Sequence, residues 1–264
     1  MHLKKTPRYT GKVEGDYNAR TYFDKRLHVW PNLRGTGHRR FSLEYNEAMY
    51  QVASDRLKTA LNRNQIFLRD KKVLDIGPGV GYFIQKYIEW GAKEVVALDI
   101  APTSIQILRE KFPGQRFIEG DISQYDLTLE NNFDLVFAIS VIFHITDDGR
   151  FEASLENMCR AVKPGGYLIV VDSFSKPIIP GGTHVRLRPF GVYSPILEKN
   201  GFKVIEKTPM YFVMGNSYFP ILIPKILSWP PVIKRMMKLD YWIGDHFKYN
   251  FNGLKYLVTQ HSTD

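Results

Sequence analysis

Nine residues, Val73-Leu74-Asp75-Ile76-Gly77-Pro78-Gly79-Val80-Gly81, constrain this chain more than any other stretch. Lys72 to Ile76 is a short apolar run ending at glycine, the pattern of a strand buried on both faces of a parallel sheet. Gly77, Gly79 and Gly81 then remove three Cβ atoms where the chain must turn sharply and let a ligand approach its backbone. The spacing predicts a helix from about Tyr82 to Trp90, whose free N–H groups and positive dipole end face the same crevice. Strand, bare turn and helix together make a nucleotide-type site.

Spacing narrows the ligand. A dinucleotide site needs G-x-G-x-x-G, with its third glycine where the helix packs on the strand. Here the order is Asp75-x-Gly77-x-Gly79-x-Gly81. Asp75, at the carboxyl end of the strand, sets a negative charge beside the ligand, which suits an ammonium or sulfonium and repels a pyrophosphate. No Gly-Lys-Ser/Thr follows the turn, which excludes a P-loop. On these residues the stretch from Lys71 to Asp172 resembles the class I S-adenosylmethionine-dependent methyltransferases of small-molecule type, with weaker similarity through the final strands. The resemblance implies an α/β fold: a doubly wound, seven-stranded Rossmann-like sheet with a reversed final hairpin. It also implies an N-terminal helical lid and S-adenosyl-L-methionine as cofactor; a C-terminal cap insertion is expected in addition.

From Lys72 the chain alternates short β-rich runs with helical patterns, as a doubly wound sheet requires. The strands read Val73–Ile76, Val95–Asp99, Arg116–Glu119, Phe133–Ile139 and Tyr167–Asp172, then Phe202–Lys207 continuing through Tyr211-Phe212-Val213, and Leu254–Thr259. Ligands in such sheets sit outside the carboxyl ends of the strands, here Asp75, Asp99, Asp121 and Ser140. Asp99 stands where nucleotide-binding folds place an acid on the ribose hydroxyls, a charge-assisted contact. By resemblance, Ile100 packs on the adenine, Asp121 accepts from its exocyclic amine and Ile122 shields the ring. Gly77, Pro78, Gly79, Gly81 and Ser140 complete the expected cofactor set. Lys163-Pro164-Gly165-Gly166 has the order of a type II turn before the fifth strand.

The segment Ala138 to Asp148 lies where the family's methyl acceptor meets the sulfonium. It holds no Asn/Asp-Pro-Pro-Tyr and no Pro-Cys, which argues against planar amines and against the covalent route to pyrimidine C5 as acceptor chemistry. His144 remains as the candidate catalytic base, with a reference pKa of about 6.5; a histidine there can equally serve only to hydrogen-bond the backbone. Alignment alone carries much of such a displacement. His38 and His184 are weaker candidates. Adjacent aspartates such as Asp147 and Asp148 more often open a helix than hold a metal, so no metal is expected.

Charge and hydropathy complete the reading. The net charge is +9, and residues 1–40 hold ten Lys or Arg against Glu14, Asp16 and Asp24, a local +7. Such a field favours an anionic acceptor, although a solvated arm over Met1 to Lys12 explains it equally. Residues 1–62 read as this arm plus a lid and helix: Tyr17, Tyr22, Phe23 and Trp30 give an aromatic segment, and Ser42 caps a helix carrying Tyr50, Ala53, Leu57 and Leu61. Residues 63–264 read as the methyltransferase domain. The exposed Asp55, Arg56 and Lys58 need only solvation, and Cys159 reads as a small buried hydrophobe. Tyr22, His38, Arg186 and Arg188 are the expected substrate contacts, the two arginines suiting an anionic group.

The insertion at about 215–251 is dense in Pro, Trp, Tyr and Met. Three readings of it stand: a cap over a hydrophobic acceptor, which is the one expected, a homodimer contact, or an interfacial membrane segment. No leader and no transmembrane span are expected, and the setting is cytoplasmic. The function expected is methyl transfer to a hydroxyl, less readily an amine, of a small molecule such as a sugar or secondary metabolite, with no stable nucleic-acid partner. RNA or protein methylation through the basic segment, and a non-catalytic cofactor-binding interaction protein, are the alternatives.

Overall fold

Val, Ile, Leu and Phe dominate the runs at residues 73–76, 95–98, 133–138 and 167–171, and side chains alternate across a pleated strand with period two. Those residues therefore need cover on both faces. A computed structural model, which describes residues 17–124, 132–174, 184–214, 226–247 and 253–263, supplies it with a seven-stranded sheet. The strands are β1 (Lys72–Ile76), β2 (Glu94–Asp99), β3 (Arg116–Glu119), β4 (Phe133–Ala138), β5 (Val162–Asp172), β6 (Phe202–Pro209) and β7 (Lys255–His261). Their order is β3-β2-β1-β4-β5-β7-β6, with β1 to β5 parallel and β7 antiparallel to both neighbours. The chain winds outward from β1 to β3 and restarts at β4, so the direction of winding reverses between β1 and β4, where such sheets open a ligand crevice.

Helices α3 (Leu43–Arg63), α4 (Tyr82–Glu89) and α5 (Pro102–Lys111) cover one face, packing Leu57, Ile84 and Leu108 against Val73, Val95 and Leu135. Helices α6 (Asp148–Ala161) and α7 (Phe190–Lys199) cover the other, with Leu155 and Leu197 against Leu74, Val136 and Val170. Two short helices, α1 (Ala19–Val29) and α2 (Leu33–Thr36), precede α3, and α8 (Pro230–His246) follows β6. Ser42 caps α3 as read, its hydroxyl accepting from the Tyr45 N–H at 3.2 Å. Cys159 is buried, and burial pushes its thiol up to about 12.

Four local expectations are corrected. The Pro-Gly-Gly turn lies inside β5, with Gly165 at φ 76°, where the pairing of β4 on β5 shifts register between Phe133 and Leu135. Strand β6 ends at Pro209: Tyr211-Phe212-Val213 leaves the sheet because the N–H groups of Phe212, Val213 and Met214 all donate to the buried Asp240 carboxylate. The short helix that the sequence between Ser194 and Lys199, stopped by Asn200-Gly201, leads one to expect begins earlier, at Phe190, as α7. Asp55 and Arg56 are not merely solvated. The Arg56 guanidinium donates to the carbonyls of Asp240 (2.8 Å) and Tyr241 (3.0 Å), and the Tyr241 hydroxyl donates to Asp55 at 2.6 Å. These contacts fasten α8 to α3, alongside a small core of Phe41, Tyr45, Met49 and Val52 against Leu227, Ile233 and Met236.

Candidate functional site

At the reversal point a cavity of about 220 Å³ opens over the carboxyl ends of the first strands. Its wall is built from four consecutive strand ends. Asp75 and Ile76 end β1 and Gly77 to Gly79 follow it, Asp99 and Ile100 close β2, Gly120 to Ile122 follow β3, and Ser140, Val141 and His144 follow β4. Every residue expected to contact the cofactor lies on this one cavity except Gly81. Gly81 is the N-cap of α4 at φ 81°, packed under Phe112 and Leu108.

The glycines are bare for a reason sequence reading missed in part. Gly77 and Gly79 have φ of 66° and 58°, where side chains are strained. A Cβ on Gly77 would also meet the Val141 side chain at 2.5 Å, and one on Gly79 would meet Thr36 Cγ2 at 2.3 Å. Close approach of the protein's own walls therefore requires these glycines, beyond any ligand.

Charge is concentrated on the floor. Asp75 is 2% exposed, and its Oδ2 has no hydrogen-bond partner among the described residues. Burial, reinforced by the Asp99 carboxylate, holds Asp75 well above the usual carboxylate range. A buried, unpartnered acceptor of this kind calls for a cationic or N–H partner. Asp99 is differently placed. Its Oδ2 accepts from the Gly79 N–H at 3.1 Å and lies 2.7 Å from the Ser104 hydroxyl, and its Oδ1 accepts from the Ala101 N–H at 2.9 Å. Burial raises the Asp99 pKa and these hydrogen bonds oppose the rise, so its carboxylate sets the shape of the Gly79 turn.

Asp121 accepts from the Ser123 N–H at 2.9 Å and pairs with Arg150 of α6. Arg150 lines the cavity and was not anticipated; its only sequence signal is its place three residues after the Asp147 cap, which accepts from its N–H at 2.8 Å. Asp147 and Asp148 open a helix as expected.

His144 sits in a short 3-10 turn after β4, with Nδ1 2.7 Å from the His184 carbonyl oxygen. A carbonyl only accepts, so Nδ1 carries the proton and Nε2 holds the lone pair. Burial lowers the His144 pKa to about 3, with the His184 bond opposing and Arg26 adding to the drop. The ring is therefore a neutral acceptor, packed edge-on against Phe23 at 4.9 Å and stacked on His184 at 5.6 Å.

The roof comes from the N-terminal segment. Tyr17, Ala19, Phe23 and Leu27 line the cavity, with Thr36 and Tyr50, whose hydroxyl donates to Thr36 at 2.9 Å. The Tyr17 hydroxyl is buried without a partner among the described residues. Basic residues of this segment fasten the roof to itself. Arg26 donates to the carbonyls of Arg34 and Gly37, and Arg34 donates to that of Arg39 at 3.1 Å. Residues 1–16 lie outside the described residues.

The expected substrate contacts are not on the cavity wall. Tyr22 stacks on His184 at 4.8 Å, one layer behind Phe23. His38 packs edge-on against Phe41, and burial lowers its pKa to about 4. Arg188 is 1% exposed, covers the Phe151 ring at 4.0 Å and donates to Asp148 at 2.9 Å, while Arg186 pairs with the same carboxylate. Both arginines are paired with an acid of their own chain. The described part of the insertion, residues 226–247, lies against α3 and likewise contributes nothing to the cavity wall; residues 215–225 and 248–251 lie outside the described residues.

Residues 73–166 match the family profile described as a methyltransferase domain. The chain is 32% identical to a ubiquinone/menaquinone biosynthesis C-methyltransferase of Francisella philomiragia, over 63% of this chain and 64% of that protein. It is 26% identical to the demethylmenaquinone methyltransferase of Renibacterium salmoninarum, over 66% of this chain and 65% of that protein. The chain thus spans a little under two thirds of the length of these relatives. Among solved structures, it is similar in fold to magnesium protoporphyrin IX methyltransferase of Synechocystis, with a TM-score of 0.61, 16% identity, and coverage of 92% of this chain and 98% of that one.

Proposed function

With residues 73–166 matching a methyltransferase domain, we propose that this chain is a class I, S-adenosylmethionine-dependent enzyme that transfers a methyl group to a small molecule with a largely apolar body. The observation that carries the reading is the unpartnered, buried Asp75 oxygen beside the Gly77–Gly79 turn. S-adenosyl-L-methionine supplies an electrophilic methyl on a sulfonium centre. Asp75 would hold the cationic end of the cofactor, Asp99 would fix the glycine turn beside its ribose, and Ile100 and Ile122 would enclose the adenine, with Asp121 at its edge.

The acceptor side is set by the walls. Phe23, Leu27, Ile139, Val141 and Ile145 favour an apolar ring or chain over a sugar. Among the polar groups on this wall, His144 Nε2 and the Tyr17 hydroxyl are the ones assigned to orient a hydroxyl or an enol-type carbon. The relatives named for quinone biosynthesis act at carbon, which supports the second of these nucleophiles as strongly as the hydroxyl. Incubation with methyl-labelled cofactor and fractionated extract tests the proposal. Label in apolar small molecules supports it, and label confined to RNA or protein overturns it.

Two expected results follow from the site's electrostatics. Because His144 is held neutral down to about pH 3, the rate between pH 5 and 8 should lack a histidine limb near pH 6.5. His144→Gln should lower kcat about 10²-fold without changing that profile. A limb near pH 6.5 that disappears in the variant would show that His144 titrates in the working enzyme. Asp75→Asn should move two quantities in opposite directions. At neutral pH the raised carboxyl is ionised less favourably in the fold than in the unfolded chain, so the amide should raise the melting temperature of the cofactor-free protein. Loss of the charge should weaken cofactor binding about tenfold, read by calorimetric titration.

A further inference from the structure

The inner face of α8 is occupied by the α3 contact, through Ile233, Met236 and Asp240. Its outer face is a separate surface. Pro231, Lys234, Arg235, Lys238, Leu239 and Trp242 recur at intervals of three and four and are exposed. Leu239 is 47% and Trp242 52% exposed, and Phe247, directly after the helix, is 44% exposed and meets the Trp242 ring edge-on at 5.7 Å. Trp229 and Ile226, directly before the helix, are each 60% exposed. Among the described residues no carboxylate forms an ion pair with Lys234, Arg235 or Lys238. Asp245, the acid on this side of the helix, is held by Arg56 at 3.3 Å.

We propose that this face of α8 docks the protein on an anionic lipid surface. Large aromatic and aliphatic side chains interleaved with cations that no described carboxylate pairs match a bilayer interface, where rings settle at headgroup depth and cationic heads meet lipid phosphates. A second copy of the chain fits less well, because a two-fold contact through this face would set Lys234, Arg235 and Lys238 against their own equivalents. A nucleic acid would use the cations and leave Leu239 and Phe247 without a role. Among the described residues no helix is long and apolar enough to cross a membrane, so the contact is with the surface. Through α3, which also contributes Tyr50 to the cavity wall, a docked α8 would hold the cavity one helix away from the lipid. The inference stands on this surface alone and does not depend on the methyl-transfer reading.

The test is co-sedimentation of the full chain with vesicles of phosphatidylcholine alone, or mixed with phosphatidylglycerol. Binding should require phosphatidylglycerol and weaken with added salt. The triple variant Lys234→Glu, Arg235→Glu, Lys238→Glu should bind about a hundredfold more weakly, and Trp242→Ala about tenfold more weakly, with melting temperatures near that of the native protein. Binding unchanged in the triple variant would place the contact elsewhere, in the basic N-terminal residues for example, and overturn the proposal. Failure to bind anionic vesicles, or a dimer in solution that Trp242→Ala dissociates, would overturn it as well.

Discussion

Replacing Asp99 by alanine is expected to lower the affinity for S-adenosyl-L-methionine by about 10²- to 10³-fold and to destabilise the cofactor-free protein by about 2–3 kcal/mol. Both effects have one origin. The carboxylate accepts from the Gly79 and Ala101 N–H groups and stands 2.7 Å from the Ser104 hydroxyl, all in buried surroundings. Alanine leaves the Gly79 and Ala101 N–H groups unsatisfied, while the Ser104 hydroxyl keeps the Gly79 carbonyl at 2.8 Å as acceptor, and each unsatisfied buried group costs about 1–3 kcal/mol. Gly79, already at φ 58°, then loses the contact that fixes its turn, so the cavity wall moves and the ribose contact proposed for Asp99 goes with it. Asp99→Asn keeps one acceptor oxygen and should fall between native and alanine in both respects. Titration calorimetry reads affinity and thermal melting reads stability. An alanine variant that binds like the native protein would remove Asp99 from the site, whatever its melting temperature.

The parts of the site that could be read from sequence share one physical property: they are local. Strand, glycine turn and helix are consecutive from Lys72 to Glu89, and the backbone geometry of nine residues dictates where Asp75 points. Asp99 and Asp121 follow from the same rule applied to β2 and β3. The lid was visible as an aromatic segment too apolar for solvent, and Tyr17 and Phe23 do line the cavity. Tyr22, one residue from Phe23, faces a different layer, because helical neighbours point about 100° apart; composition gave no register for a helix this short.

What was not legible depends on partners far away in the chain. Arg186 and Arg188 sit in a stretch rich in glycine and proline and look like free cations until Asp148, about forty residues earlier, is brought beside them. Arg56 and Asp55 have the periodicity of an exposed helix face, and only the arrival of α8 from more than 180 residues away makes them structural. The depressed His144 pKa follows from burial under Phe23 and beside His184, so the same residue, read locally, carried a near-neutral value. In each case a charged or titratable group was given its solvent behaviour because its neighbours in space were absent from its neighbourhood in sequence.

Asp240 is the sharpest case of such a hidden partner, and Asp240→Ala is expected to cost about 3–5 kcal/mol of stability. The residue is fully buried on α8, and its Oδ2 accepts from the N–H groups of Phe212 (3.1 Å), Val213 (2.8 Å) and Met214 (2.9 Å). Three donors converging on one carboxylate oxygen bend the chain out of β6 and bring Met214 into the small core between α3 and α8. Alanine strands all three N–H groups in a buried turn and loosens that core. With about 2–4 °C per kcal/mol for a chain of this size, the melting temperature should fall by roughly 10 °C. Asp240→Asn retains one acceptor oxygen and should lose about 1–2 kcal/mol. None of these residues lines the cavity, so cofactor affinity measured well below the melting range should stay within about twofold of native. A large loss of affinity in Asp240→Ala would mean that α8 sets the position of α3, and with it Tyr50 in the cavity wall. A melting temperature equal to that of the native protein would mean that the 212–214 turn finds other acceptors, and that Arg56, the Tyr241–Asp55 hydrogen bond and the Ile233 and Met236 packing suffice to hold α8.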